Sequence, residues 1–237
     1  MHRIFISDLH LESPDSQAAL RFSELLATES RRADEIYILG DLVEMWVGDD
    51  DDTELAGWLK QTLSSCSSSV FIMHGNRDFL FKQEFASEAG VTLVPDPCLI
   101  DEDLYLCHGD SLCIDDHEYQ TLRAMFRSDE WQSEILSKSL AERQAFGHAL
   151  RAQSREANAN KASNIMDINE QALLDAAQPS GHSTVIHGHT HRPGRHKHTG
   201  DVERFVLGAW ERCGWLCRQF NNTLHLECFS LARRYEI

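Results

Sequence analysis

The sequence predicts an α/β fold, and three observations carry the prediction. Short apolar, β-branched runs recur along the chain, and the first intervals between them hold amphipathic helical patterns. Five of the runs are followed at their C-terminal ends by compact polar clusters, the place where open α/β sheets carry ligands. A long stretch in the second half has helical periodicity and no strand-like run.

The first run, Arg3-Ile4-Phe5-Ile6, reads as a buried strand, and Ala19, Phe22, Leu25 and Leu26 form the inward stripe of the helix that follows. Ile36-Tyr37-Ile38-Leu39 is the second strand. Leu55, Trp58, Leu59 and Leu63 mark a second helix beginning near Thr53, and the acidic run Asp49 to Asp52 before it reads as a solvated loop favoured by the helix dipole. Val70-Phe71-Ile72-Met73 and Leu104-Tyr105-Leu106-Cys107 are the third and fourth strands. Residues 115–178 then break the rhythm: Trp131, Ile135, Leu136, Leu140, Ala145, Phe146 and Leu150 step by threes and fours, so a helical insertion is expected. Thr184-Val185-Ile186 and Phe205-Val206-Leu207 complete the strands.

A chain of 237 residues suits one domain carrying an insertion, with a core that buries roughly 70–75% of the unfolded surface. At 42% hydrophobic residues, 13 Gly and 5 Pro, the composition excludes disordered and fibrous classes. The formal net charge of −16 repels phosphate backbones, so no nucleic-acid partner is expected, and an anionic ligand needs help, as from metal. No apolar run approaches the ~18 residues of a membrane span. The start MHRIFISDLHL lacks the pattern of a signal peptide, and a cytoplasmic protein is expected. Seven cysteines, odd in number and without a CxxC pair, argue against a disulfide framework; Cys213 and Cys217 have no second thiol pair to complete a metal site.

The polar clusters are Asp8-Leu9-His10, Gly40-Asp41-Leu42-Val43-Glu44, Gly75-Asn76-Arg77-Asp78, His108-Gly109-Asp110 and Gly188-His189-Thr190-His191. Singly, each reads as a turn or a strand-end cap. As a set they supply imidazole nitrogen, carboxylate oxygen and amide oxygen, which suit Mn²⁺, Zn²⁺ or Fe²⁺. Residues two apart at a strand end are expected to point the same way, giving paired donors in Asp8 with His10 and in His189 with His191. The list is too long for one ion and right for two, with a carboxylate bridging ions ~3.5–4 Å apart. Ser154, Asn158 and Lys161 fall within about 60° on one helix face.

The order DxH, GDxxE, GNRD, HGD, GHTH resembles the calcineurin-like metallophosphoesterase superfamily, with all five blocks present across about 190 residues. The resemblance implies a sandwich of two β-sheets flanked by helices, with residues 115–178 as a helical cap. GNRD departs from the usual GNHD or GNHE, so Arg77 is expected to clamp phosphate rather than donate a proton, which suits a leaving group that is itself a phosphate. The strings SDLHL, YILGDLVEMWVGDDD, HGNRDFL, HGDSLCIDD, SREANANKASNIMDIN and IHGHTHRP closely resemble the UDP-2,3-diacylglucosamine pyrophosphohydrolase family of the lipid A pathway.

That resemblance implies hydrolysis of UDP-2,3-diacylglucosamine to UMP and 2,3-diacylglucosamine 1-phosphate, with a metal-activated water attacking the α phosphorus. It implies two Mn²⁺, one held by Asp8, His10, Asp41 and His191 and the other by Asp41, Asn76, His108 and His189. Asp41, Asn76, Arg77 and His189 are then catalytic, and Asn76, Arg77, Asp116, Ser154, Asn158, Lys161 and His189 bind substrate. Glu44, Asp78 and Asp110 are expected to support the ligands by hydrogen bonds, and His187 to be a strand-end histidine outside the ligand set. The stripe from Trp131 to Leu150 would belong to a cap forming an acyl-chain chamber, with Leu122, Met125 and Phe126 nearby, although SDEWQSEILSKSLAERQ is more polar than relatives often carry there. A diacyl substrate implies peripheral contact with the cytoplasmic face of the inner membrane, through the cap or Ala232-Arg233-Arg234; no protein partner is inferred. Two rival readings are a metallophosphodiesterase or nucleotide pyrophosphatase for soluble substrates, which has no use for an apolar cap, and a metal-free scaffold of the same fold, which would have lost ligands.

Overall fold

The inward and outward residues of each strand decide the layering. In the computed structural model, which describes residues 1–160 (side chains to 156), 167–177 and 183–232, Phe5, Tyr37, Leu39 and Met73 of one sheet face Leu104, Leu106, Ile186 and Phe205 of another. Their neighbours Ile4, Ile6, Ile36, Ile38, Val70 and Ile72 turn to the opposite face and pack on helices.

The strands are β1 (His2–Ile6), β2 (Glu35–Leu39), β3 (Ser69–Met73), β4 (Thr92–Val94), β5 (Cys98–Ile100), β6 (Leu104–Leu106), β7 (Thr184–His187), β8 (Gly194–Lys197), β9 (Glu203–Val206), β10 (Cys213–Phe220) and β11 (Thr223–Ser230). The first sheet runs β11-β10-β1-β2-β3-β4 and the second β5-β6-β7-β9-β8. β1 to β4 are parallel, as are β6, β7 and β9, so the ends of β1, β2, β3, β6 and β7 open on one edge of the sandwich. Every strand read from the sequence is present. β4, β5, β8 and the hairpin β10–β11 are additional; the hairpin turns at Asn221-Asn222, both with positive φ, in the two-residue geometry that strand twist favours.

Helices α1 (Gln17–Glu29), α2 (Glu54–Ser64) and α3 (Gln83–Ala89) cover the first sheet. Ser16 and Thr53 cap α1 and α2, each accepting from the amide three residues on. The acidic run ahead of Thr53 is not simply a solvated loop. Asp49 accepts from the amides of Lys82 and Phe85 at the start of α3, at 3.0 and 2.8 Å, and from the Trp46 indole. Asp50 pairs with the buried Arg143 of the insertion.

The insertion forms α4 (His117–Phe126), α5 (Asp129–Leu136), α6 (Leu140–Asn160) and α7 (Glu170–Ala177). Leu173 and Ala177 of α7 pack with Tyr105 and Val185 on the outer face of the second sheet. The first three helices instead lie over the open edge. Phe126 stacks on Phe79, at 6.0 Å between ring centroids, and meets Trp131 at 4.7 Å; such pairs contribute about 0.5–1.5 kcal/mol each beyond area burial. Arg143 donates to the Val47 carbonyl at 2.7 Å, fixing α6.

Candidate active site

Asp8, His10, Asp41, His189 and His191 all lie just beyond their strands with positive φ, between 48 and 63°. Their convergence therefore comes from left-handed backbone, not from the alternation of an extended strand end as the sequence suggested. That conformation is costly for non-glycine residues, and its repetition at one edge marks the place where the surrounding structure sustains strain. Close loop packing does the sustaining. The Asp8 and His10 amides donate to the Gly40 and Asp41 carbonyls at 3.1 Å, and the Arg77 amide donates to Asp41 Oδ1 at 2.9 Å. Gly40, at φ 88°, has no room for a side chain: a Cβ there would lie 2.6 Å from Gly75 and from His108 Nδ1.

Two groups of donors result, with Asp41 between them. In the first, His10 Nε2 lies 3.3 Å from His191 Nε2, 3.9 Å from Asp8 Oδ1 and 3.8 Å from Asp41 Oδ2, and His191 Nε2 lies 3.4 Å from Asp8 Oδ1. In the second, Asn76 Oδ1 is 3.0 Å from both His108 Nε2 and His189 Nδ1, and His108 Nε2 is 3.7 Å from Asp41 Oδ1. Asp8 also stands within reach of Asp41 and His108. Two imidazole nitrogens aimed at each other beside carboxylate oxygens are poor hydrogen-bond partners and good ligands, so the donor set fits divalent cations.

The family comparison agrees with this geometry. The family model described as calcineurin-like phosphoesterase matches residues 1–193. The chain belongs to the calcineurin-like phosphoesterase family. Within it, the chain is 41% identical over 226 residues to a UDP-2,3-diacylglucosamine hydrolase of Cellvibrio japonicus, covering 91% of this chain and 93% of that one. It is 42% identical over 228 residues to the hydrolase of the same name from Chromohalobacter salexigens, covering 92% and 93%. A dimetal phosphatase from Danio rerio shares the fold at a TM-score of 0.53, with 13% identity, covering 98% of this chain and 96% of that one. The protein is accordingly a metal-dependent hydrolase.

In this phosphoesterase site the residues behind the donors are fixed by charge and hydrogen bonding. Glu44 Oε2 is 3.0 Å from His10 Nδ1, while Oε1 accepts from Arg151 Nε of α6 at 2.9 Å. Asp78 accepts from the amides of Leu42 and Gly75, both at 2.7 Å, joining two loops; burial, with Asp41 next, raises its carboxyl to about 6. His108 donates through Nδ1–H to the Leu39 carbonyl, 2.8 Å away, which leaves its Nε2 for the site. Burial opposes its charge, yet Asp41, Asp110 and Asp8 lift its imidazole to about 9; protons and cations compete for that lone pair. Burial and the neighbouring His108 press His189 down to about 4.

Asp110 does something other than support a ligand by a hydrogen bond. Its Oδ2 accepts from Tyr119 Oη at 2.6 Å and Arg123 Nε at 2.8 Å, anchoring α4, and the Tyr119 ring lies 5.7 Å from His189. His187 is buried with Nδ1 at the Gly188 carbonyl, 2.8 Å away, and burial lowers its pKa to about 3.

A cavity of about 260 Å³ over the donors is lined by His10, Asp41, Asn76, Arg77, Asp116 and Ser154, among others. Arg77 Nε is buried there without a hydrogen-bond partner among the described residues, 3.9 Å from Asp41 Oδ2. Asp116 doubles as the α4 cap, accepting from the Tyr119 amide at 3.1 Å. Asn158 lies on α6 with its side chain outside the described residues, as is all of Lys161. Trp131, Ile135, Phe146 and Leu150 line a small apolar chamber with Phe79 and Leu80, opening beside Asn76 and Arg77. Leu122 and Met125 do not line it; both are 44% exposed on α4.

Sequence reasoning missed the arginines that the insertion contributes. Arg127, at the end of α4, donates to the Gly75 carbonyl at 2.8 Å and stands over the Phe79 ring, bracing the loop of Asn76 and Arg77. Neither Arg127 nor Arg151 belongs to a motif, and only the helix packing reveals them.

Proposed function

We propose that the protein hydrolyses the pyrophosphate bond of UDP-2,3-diacylglucosamine, releasing UMP and 2,3-diacylglucosamine 1-phosphate, in lipid A biosynthesis. The observation that carries the reading is two donor groups sharing Asp41 beside the half-buried Arg77, whose Nε has no hydrogen-bond partner among the described residues, in a chain whose near full-length relatives bear that substrate in their names. Two Mn²⁺ are the proposed ions, held by Asp8, His10, Asp41 and His191 and by Asp41, Asn76, His108 and His189. Such ions, when bound, supply a water of lowered pKa and neutralise charge at the phosphoryl oxygens.

The chain's own residues do the rest. Arg77, with Asn76 and His189, grips phosphate oxygens and orients the α phosphorus for in-line attack; its guanidinium stays charged at any working pH and cannot serve as a proton donor. A sugar phosphate needs little protonation to leave, so no acid is required in that place. Asp116 and Ser154, with Asn158 and Lys161, bind the glucosamine phosphate. The apolar chamber beneath Trp131 and Phe146 excludes water and takes acyl chain. Among the described residues no helix is long and apolar enough to cross a membrane. Exposed Leu122, Met125 and Phe146 on the cap support peripheral contact at the cytoplasmic face of the inner membrane.

Purified protein incubated with UDP-2,3-diacylglucosamine and Mn²⁺ is expected to release UMP, and His10→Ala to abolish the release. Turnover of simple nucleotide diesters with none of the diacyl substrate would refute the assignment.

A further inference from the structure

Helix α6 has a second working face. Arg143, Phe146, Gly147 and Leu150 turn to the apolar chamber, whereas Gln144, His148, Ala152 and Arg155, at helical spacing, turn to a separate cavity of about 640 Å³. Met45 and Trp46 border both spaces, and Met45 packs against Gly147 so closely that a Cβ there would overlap its sulfur. The larger cavity lies next to the reacting centre: its wall includes Leu11, directly after His10, and Glu44, whose Oε2 is 3.0 Å from His10 Nδ1.

We propose that this cavity binds the nucleoside half of the substrate, a neutral pyrimidine riboside, while the acyl sugar occupies the other side of α6. The proposal rests on the reading under Proposed function and adds to it where each half lies. The helix wall offers nitrogen donors from Gln144, His148, Arg151 and Arg155. Two carbonyl oxygens of a pyrimidine and the ribose oxygens need such donors. The lining also includes apolar Pro14, Met45, Trp46 and Leu55, side chains on which a base can lie, and Glu12, Asp51 and Glu54, which would accept from ribose hydroxyls and the ring N–H. An acyl chain here would strip water from Glu12, Asp51 and Glu54 without replacing their hydrogen bonds, whereas the chamber has Glu44 alone among carboxylates and is walled by Phe79, Leu80, Trp131 and Phe146. A phosphate would meet the same carboxylates, which leaves the phosphates at Arg77 and the neutral nucleoside beyond Glu44.

Ala152→Trp fills the cavity from the helix face. With Mn²⁺ present, calorimetric titration of UMP and of 2,3-diacylglucosamine 1-phosphate is expected to show UMP affinity reduced at least about tenfold and the lipid product unaffected. His148→Leu, which removes a donor without adding bulk, is expected to weaken UMP alone and guards against a fold effect of the larger residue. Loss of the lipid product with UMP unchanged would assign the cavity to an acyl chain and overturn the proposal, as would no change in either ligand or no UMP binding to the unaltered protein. Should the unaltered protein fail to cleave UDP-2,3-diacylglucosamine while Ala152→Trp still weakens UMP, the substrate assignment falls and the nucleoside site stands.

Discussion

Glu44→Gln changes one atom and tests how the insertion governs the proposed metal ligands. Arg151 Nε and Nη2 both donate to Oε1, and Oε2 sits 3.0 Å from His10 Nδ1. A carboxylate only accepts, so His10 carries its proton on Nδ1 and turns the Nε2 lone pair toward Asp8, Asp41 and His191. A glutamine has one oxygen, and Arg151 claims it. The amide NH₂ then faces His10 Nδ1, which must accept, and the ring proton moves to Nε2, where a cation needs the lone pair. Partners that orient a ligating histidine are worth roughly 10–100-fold in metal affinity, about 1.4–2.7 kcal/mol. The fold should suffer less: the Arg151 bonds persist to a neutral oxygen, at a cost of about 1 kcal/mol, or roughly 2–4 °C in Tm. Mn²⁺ titration by calorimetry reads the first effect and thermal unfolding of metal-free protein the second. Unchanged Mn²⁺ affinity in a folded variant would refute the tautomer argument, and a large loss of Tm without metal would make Glu44 chiefly a clamp for α6.

Arg77→Lys keeps the charge and loses the planar fork, so kcat/KM should fall by about tenfold or more, near 1.4 kcal/mol, with Tm unchanged; full activity would remove the phosphate clamp from Arg77. Gly75→Ala puts a Cβ into the Asp41 amide and carboxylate, and should cost about 1–3 kcal/mol in thermal unfolding together with Mn²⁺ affinity, whereas a variant of normal stability would contradict the packing. Arg218 donates to Glu29 at 2.9 Å and lowers its pKa. A depressed carboxylate gives stability that is present above its unfolded pKa and lost as pH falls through the folded one, so metal-free Tm should drop on the acid side. Arg218→Met should flatten part of that drop, and an identical acid limb in the variant would show that the pair carries none of it.

The strands that hold the site were legible because each is a buried parallel run, apolar on both faces, followed by its polar cluster. The strands that escaped lack such runs: β4 and β5 have three residues each, β8 reads Gly-Arg-His-Lys, and β10–β11 mixes Arg218, Gln219, His225 and Glu227 among its apolar positions. Asn221-Asn222 was the one local signal for that hairpin. In the site, residue types announced the donors, but left-handed backbone at five of them is a tertiary property, sustained by contacts between loops far apart in sequence. Arg127 and Arg151 were invisible for the same reason: an arginine in a polar helix looks solvated until the helix is docked.

Those arginines change what the net charge of −16 means. Asp8, Asp41, Asp78 and Asp110 are buried together, so part of the excess acid is withdrawn from the surface into one edge of the sandwich. Imidazoles face them from within, and Arg77, Arg123, Arg127 and Arg151 close round them from the loops and the insertion. Divalent ions held by those carboxylates would leave the arginines as the outward-facing charge, making the site the positive place on an acidic molecule. The proposed pyrophosphate substrate would then be drawn to one point by a local field, and the rest of the surface, of its own sign, would turn longer polyanions away.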